Sequence, residues 1–509
     1  MDRKWWTLAA VCAGVFMLLL DITIVNVALP DIERGFRASL SDLQWVIDAY
    51  ALTLAAFLLT AGSLADLYGR RKLFASGITI FTLGSLACAL STSSLFLVVA
   101  RAGQGVGGAI MFATSLALLA QAFQGKGRGI AFGAFGAITG VAIAVGPVLG
   151  GALTSGAGWR WIFYVNVPIG ALALLVTLLR VDESRDPNAK RPDWIGFATF
   201  STGLAALVFG LIRSNGHGWG SMTVAGSLAA AAILLGAFVV AERLQAEPML
   251  DLRLLRVPTF NGGLLAAWAI SASIFSALTF LVLYLQNILG LSAIQTGIRF
   301  LPLTGAIFLT AGVAGRLTAR VPRRLLIGPG FVLIGGGMLL MRGLTPASGW
   351  THLLPGMILA GVGAGLVNVP LVSTAVGVVE PARAGMASGI NSTLRQVGIA
   401  TGVAALGSLF ASQVRSSVIN HLAVTPLSKT SHQIAHSISG GGATHAITSV
   451  SAPLRRLVAD AARAGFVSGL NEILLIGAVV ALAGAVGSFA LIRERDFIPT
   501  DEVALAAAV

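Results

Sequence analysis

Gly62-Ser63-Leu64-Ala65-Asp66-Leu67-Tyr68-Gly69-Arg70-Arg71-Lys72 is a charged break between two apolar runs. It returns in degraded form as Gly315-Arg316-Leu317-Thr318-Ala319-Arg320-Val321-Pro322-Arg323-Arg324. The glycine, the leucine and the paired arginines keep their spacing; Ala319 stands where the first copy has Asp66, and Pro322 where it has Gly69. A repeated break implies repeated helices on either side of it. Working outward, runs of about twenty residues, each able to cross roughly 30 Å of hydrocarbon, fall at 6–29, 44–66, 73–92, 95–120, 129–154 and 161–180, then at 194–213 and 220–241. Six more follow at 260–287, 296–318, 325–344, 351–374, 387–412 and 466–492. The pattern is an all-α polytopic membrane protein of about fourteen spans, with two parallel six-helix bundles and two extra central helices, as repeats about an axis along the membrane normal produce. Its divisions are 1–180 for the first bundle, 181–258 for the extra pair and linkers, and 259–509 for the second bundle.

Composition agrees. Of the 509 residues 56% are hydrophobic and only 11% charged, with a mean hydropathy of +0.86; soluble domains carry about 25% charged residues. Soluble enzymes, disordered chains and disulfide scaffolds are excluded. The net charge of +13 is explained by topology. Arg70, Arg71, Lys72, Lys126, Arg128, Lys190, Arg191, Arg316, Arg320, Arg323, Arg324 and Arg383 all fall in the same set of alternate loops, while the other set holds Arg34, Arg37, Arg160, Arg213 and Arg342. The positive-inside rule then predicts a plasma or inner membrane protein with both termini cytoplasmic, and no nucleic-acid partner is needed. The first run contains Asp21 and has no small-x-small cleavage site, so it reads as an uncleaved span. Cys12 and Cys88 read as small hydrophobes. Tryptophans sit at predicted interfaces except Trp268, inside a span and facing either a cavity or lipid.

Gly103-x-Gly105-x-x-Gly108 matches a dinucleotide fingerprint as a string, but it lies mid-span with no strand before it, so no phosphate-cradling turn forms; close helix packing is the better account. Ionisable groups within spans carry the functional candidates. Asp21 has no cation within a helical turn, and Arg101 is its natural partner from another span. A carboxylate reached by water, whose proton competes with cargo or with an arginine, is a minimal coupling device; the competing reading is a static ion pair. Asp48, one turn below Trp45, is expected to reach the outer surface. Glu472 stands beside Asn471, and Arg299 and Arg395 either line a wet cavity or snorkel to the interface. Asp66 either caps a helix end or pairs with Arg70 in a contact that switches between states. Gly146-Pro147-x-x-Gly150-Gly151 predicts a bent helix at a tight, mobile interface. The segment 413–465 is expected to be a long outer loop with an amphipathic helix near Pro453–Gly465. His432 and His436 stand four apart within it, yet without a carboxylate or cysteine nearby they read as a polar loop, not a metal site.

Together these stretches resemble the major facilitator superfamily, in its fourteen-helix drug:proton antiporter branch. The carrying residues are Leu20-Asp21-Ile22-Thr23-Ile24-Val25-Asn26-Val27-Ala28-Leu29-Pro30, Gly62 through Lys72, Arg101-Ala102-Gly103-Gln104-Gly105 and Gly146 through Gly151. Trp159 through Gly170, Leu250-Asp251-Leu252-Arg253, Tyr284-Leu285-Gln286, Ala384 through Gly389, and Arg395-Gln396 continue the resemblance in order. It implies a transporter, not an enzyme, that exports amphipathic, often cationic or aromatic small molecules from a lipid bilayer by alternating access. Inward protons would drive it, with no cofactor and no metal, in a monomer. Carried over, proton coupling falls on Asp21 and Arg101, gating on Asp66, Gly69, Arg70 and Arg71, and the antiporter motif on Gly146, Pro147, Gly150 and Gly151. Gating in the second half would rest on Arg323 and Arg324 alone. The candidate pocket lining is Asn26, Asp48, Tyr50, Gln286, Asn287, Asn368 and Glu472. Alternatives are a dedicated exporter of one endogenous metabolite or lipid, and a non-transporting membrane sensor.

Overall fold

A computed structural model of the chain describes residues 2–123, 126–185, 192–245, 248, 250–318, 320–379, 384–440 and 442–497. Ala319, Lys190, Arg191 and Arg383, and the side chains of Lys126 and Arg128, lie outside the described residues. Among the described residues all regular structure is helical. The long helices are α1 (Arg3–Phe36), α2 (Leu40–Tyr68), α3 (Arg70–Ala89), α4 (Ser94–Ala122), α5 (Lys126–Ala157), α6 (Trp161–Arg180), α7 (Trp194–His217) and α8 (Met222–Leu244). They continue as α9 (Pro258–Ile288), α10 (Ala293–Leu317), α11 (Arg324–Met341), α12 (Leu354–Val376), α13 (Ala384–Leu422) and α14 (Arg455–Leu491). Thirteen are long and apolar enough to span a membrane; α2 makes fourteen if its parts Leu40–Leu58 and Thr60–Tyr68, which meet at 50°, count as one span.

Helix ends follow local chemistry. Arg37, at φ 52°, closes α1 by donating its N–H to Glu33 O. Ser39 and Asp42 then form a reciprocal capping box that starts α2, and Ser292 with Gln295 does the same for α10, each satisfying two otherwise orphaned donors. Gly69, at φ 114°, turns the chain from α2 into α3 in a conformation that other residues rarely adopt.

The sequence repeat reappears as repeated packing. In the first half α3 packs on α4, α2 on α4, α1 on α5, α3 on α6 and α1 on α6. In the second half the corresponding pairs are α11 on α12, α10 on α12, α9 on α13, α11 on α14 and α9 on α14. The halves meet through α2 against α13 and α5 against α10, and α7, with α8 packed on it, leans on α2 and α13. Large apolar side chains such as Leu95, Val99, Leu172, Leu309 and Val486 are exposed on the outside of the bundle, as the lipid-facing surface of a multi-pass membrane protein requires.

Three expectations change. The first helix does not stop at Pro30 but runs on to Phe36. The segment 413–465 is mostly helical: α13 continues to Leu422, α14 begins at Arg455, and the short helices Ser431–Ser439 and Ala443–Thr448 lie between them. The cause is apolar periodicity hidden in a polar-looking stretch, since Val414 and Val418 of α13 pack on Gly465 of α14, so the amphipathic turn near Pro453–Gly465 is the start of the last helix. Trp268 is half-buried within the second half, donating Nε1 to Thr401 Oγ1 at 3.1 Å.

Candidate functional site

The side of the bundle that carries the chain ends is called here the terminus side. There Arg3 pairs with Asp182 just beyond α6, and Arg493 donates its N–H to Thr259 Oγ1 at the start of α9. The other side is the far side.

Five helices of the first half build a sealed polar cluster. Asp21 of α1 is 0% exposed and Arg101 of α4 2% exposed. Arg101 Nη1 donates to Asp21 Oδ2 and, at 2.7 Å, to Gln104 Oε1, while its Nε donates to Val46 O at 3.1 Å. Gln104 Nε2 donates to Asp21 Oδ1 at 2.9 Å and to Ser85 Oγ of α3 at 2.7 Å. Asn166 of α6 donates to the same serine at 2.9 Å. The guanidinium lies over the Tyr50 ring, 4.2 Å from its centroid, a cation–π contact that strengthens when desolvated. Glycine makes the convergence possible: a Cβ on Gly105 would sit 2.5 Å from Tyr50 O, and one on Gly107 2.3 Å from Phe81 N. Gly105 belongs to the apparent dinucleotide string and Gly107 lies within it, and both serve helix contact. The expectation that water reaches Asp21 is corrected for this arrangement; its charge is cancelled inside the first half.

The central cavity lies between the halves and has a volume of about 70 Å³. Its polar lining is Thr23, Asn26, Thr279 and Thr304; the rest is apolar, including Ile22, Phe275, Phe300, Ile399 and Val403. Of the pocket candidates, Asn26 lines this cavity and accepts a 3.0 Å hydrogen bond from Thr279 Oγ1 across the halves. The other candidates lie elsewhere. Tyr50 sits beneath Arg101, and its hydroxyl has no hydrogen-bond partner. Asn368 is held against Arg395, and Glu472 is half-buried on α14. Asp48 does not reach a surface. It is 0% exposed and neither oxygen has a partner, because it lies on the face of α2 whose neighbours Ala51 and Ala55 pack with α7 and α13. Arg299 donates to Gln295 O at 3.0 Å and covers the Trp350 ring at 5.3 Å.

Gln286 and Asn287 join the halves on the far side. Gln286 Nε2 donates to Val27 O at 2.8 Å and Asn287 Nδ2 to Glu33 Oε2 at 3.0 Å. Gln44 Nε2 donates to Val403 O at 3.0 Å, Ile294 N–H to Ser155 Oγ at 3.0 Å, and Leu40 N–H to Gly440 O at 2.9 Å. The Gly-Pro motif is part of this seam. A Cβ on Gly146 or Gly150 would strike Thr23 or Ile24 of α1; one on Gly151 would lie 2.5 Å from Ala293 O of α10, and one on Gly297 2.2 Å from Pro147 O. Backbone therefore meets backbone where α5 crosses into the other half.

On the terminus side Asp66 accepts from Arg70 Nη2 at 2.8 Å within one helical turn. The carboxylate that sequence reasoning missed is Glu183. It accepts the N–H groups of Arg71 at 3.0 Å and Lys72 at 3.3 Å, capping the positive end of α3. Gly69 leaves room for it, since a Cβ there would be 2.7 Å from Glu183 Oε1. The second half copies the device: Glu494, just beyond α14, accepts Arg323 N–H at 2.8 Å at the start of α11 and lies 3.6 Å from its Nη1. The second-half break thus has an acid after all, supplied from beyond the last helix. On the far side His436 Nδ1 is 3.4 Å from Arg415 Nη2.

With the geometry in place, comparison identifies the class. A sequence profile of the Major Facilitator Superfamily matches residues 11–403, and the chain belongs to that family of membrane transporters. It is 37% identical over 488 residues to the multidrug resistance protein Stp of Mycobacterium tuberculosis, covering 94% of this chain and 91% of that one. It is 33% identical over 505 residues to the tetracenomycin C resistance and export protein of Streptomyces glaucescens, covering 97% and 93%. Its fold matches the crystal structure of an inward-facing bacterial homologue of the human lysosomal transporter Spinster with a TM-score of 0.65, at 19% identity, over 98% of this chain and 99% of the other.

Proposed function

We propose that this protein is a proton-coupled exporter of amphipathic small molecules, drugs or secondary metabolites, acting as a monomer in the plasma or inner membrane with both termini cytoplasmic. It needs no cofactor beyond the proton gradient. In this reading 1–180 and 259–509 are the two rocking bundles, and 181–258 carries the accessory pair. The resistance and export proteins to which the chain is similar support the drug-exporter assignment.

The sealed Asp21–Arg101 pair carries the coupling argument. The two charges cancel where neither could be solvated. A proton added to Asp21 would strand the arginine as an unpaired buried cation, and breaking a buried pair costs about 3–5 kcal/mol. Protonation is therefore incompatible with this packing and compatible with one that lets water reach Arg101. The far-side seam, with Gly146, Pro147, Gly150 and Gly151 at its centre, makes this arrangement the one open to cytoplasmic cargo. Asp66, Gly69, Arg70 and Arg71, with Glu183, then hold the terminus side of α2 and α3 as one body while the halves swing. One proton crossing 100 mV contributes about 2.3 kcal/mol to the cycle. Cargo uptake into inverted vesicles tests the coupling role. Asp21→Asn should abolish the protonophore-sensitive component while the purified protein keeps its elution volume and, although it melts at a lower temperature because Arg101 loses its partner, still unfolds in one transition. Unchanged protonophore-sensitive uptake in that variant would remove Asp21 from the mechanism.

A further inference from the structure

The second half contains a half-buried cation that, among the described residues, has no acid. Arg395 of α13 donates from Nη2 to Asn368 Oδ1 of α12, and Asn368 in turn donates to Ala364 O at 2.9 Å. Nε of Arg395 is buried without a partner, and among the described residues no carboxylate pairs with this arginine. Arg395 stands one turn from Ile399 and two turns from Val403, both of which line the central cavity, so it occupies the terminus-side end of the cavity face of α13. Among the described residues the cavity lining carries no charge. Asp21, the acid expected to attract a cation, is turned into the first half and neutralised there. A cationic ligand in this space therefore finds no carboxylate among the described lining residues, whereas an anion reaching one helical turn beyond Ile399 finds an arginine whose Nε is unused.

We propose that the preferred cargo is an anionic amphiphile. Its apolar or aromatic body lies against the neutral lining, which widens from its present volume of about 70 Å³ to take it, and its carboxylate, phenolate or sulfonate engages Arg395, which Asn368 holds in place. A planar guanidinium with several free N–H groups suits such oxygen acids better than a point charge does. This inference rests on the exporter reading and narrows its substrate class, since the resemblance alone implied amphipathic compounds that are often cationic or aromatic. Exporting an anion while admitting a proton moves two negative-equivalent charges outward per cycle, so transport responds to membrane potential. Exporting a cation for a proton moves none.

Two xanthene dyes of similar frame and opposite charge, fluorescein and rhodamine 123, test this with the full chain in nanodiscs and inverted vesicles. Fluorescein should bind at least tenfold more tightly by fluorescence anisotropy, and its uptake should rise with an imposed potassium–valinomycin potential of the energising sign. Arg395→Gln should weaken fluorescein at least tenfold without weakening rhodamine 123, while Arg395→Lys, which keeps the charge, should recover a measurable part of the loss. Rhodamine 123 bound and transported as well as fluorescein, or fluorescein indifferent to Arg395→Gln in a protein of normal melting profile, would overturn the anion assignment and leave the exporter standing. If neither dye is bound or transported by the unmodified protein, both readings fall.

Discussion

Arg101 and Arg395 are both arginines lodged within membrane spans, one in each half, and they are treated oppositely. Arg101 is enclosed by Asp21, Gln104, Val46 O and the Tyr50 ring. Arg395 has one amide oxygen and an idle Nε. A charge that is fully answered from within the protein can serve only conformation, because nothing else reaches it unless the packing opens. A charge left partly unanswered, one helical turn beyond the cavity lining, is free to serve a ligand. The halves descend from one repeated plan, visible in their matching helix pairs, yet their polar interiors have diverged into an internal lock and an external receptor.

The largest expected effect breaks the lock. Arg101→Gln leaves Asp21 buried without its cation and should cost about 3–5 kcal/mol in denaturant or thermal unfolding. The double variant Asp21→Asn with Arg101→Gln should regain most of that loss while remaining inactive. If the double variant is as unstable as the single one, the pair is not the unit described. Arg395→Gln sharpens the contrast, since it strands no opposite charge; its cost should stay within about 1–3 kcal/mol, the worth of a hydrogen bond to a charged group.

Next comes the seam. Gly151→Leu drives a side chain into the α10 backbone at Ala293 and should prevent far-side closure. Cargo efflux should fall at least tenfold, and a cysteine introduced as Gln44→Cys should become open to a membrane-impermeant maleimide. Normal efflux in Gly151→Leu would mean that α5 and α10 need not touch during the cycle. Asp48→Asn should act in the opposite direction and more gently. The carboxyl lies buried and unpartnered on the α2 face packed toward α13, where a charge could not be solvated. A neutral amide there should lower maleimide labelling of Gln44→Cys severalfold, and increased labelling would contradict the placement.

The smallest effect compares the two terminus-side caps. Glu183→Gln and Glu494→Gln each remove a carboxylate from a helix start, a contribution of about 0.3–1 kcal/mol. The two losses should be alike in thermal unfolding. A large loss in one half only would show that the caps, like the arginines, have parted in role.

Much of this was legible in the residues. Spans, repeat and the Asp21–Arg101 pairing follow from rules that act along a helix or exclude charge from hydrocarbon. Gln104 and Asn166 stood inside recognisable motifs, but nothing local said that they would converge on one carboxylate. Glu183 and Glu494 were invisible because each caps a helix from far along the chain and carries no motif of its own. The pocket guesses chose polar residues within spans, and polarity does not tell whether a side chain faces the cavity, the seam or a neighbour in its own half.

The sequence by itself determined a six-helix bundle made twice over with two extra helices, the family it belongs to, and which charges are stranded in oil, because hydrophobic length and the cost of burying charge are properties of short segments. Only the tertiary structure decided which stranded charges meet. Whether Asp48 reaches water, whether Arg395 finds an acid and which glycines touch another backbone depend on the rotation and approach of helices distant in the chain. Those are fixed by close packing of the whole bundle.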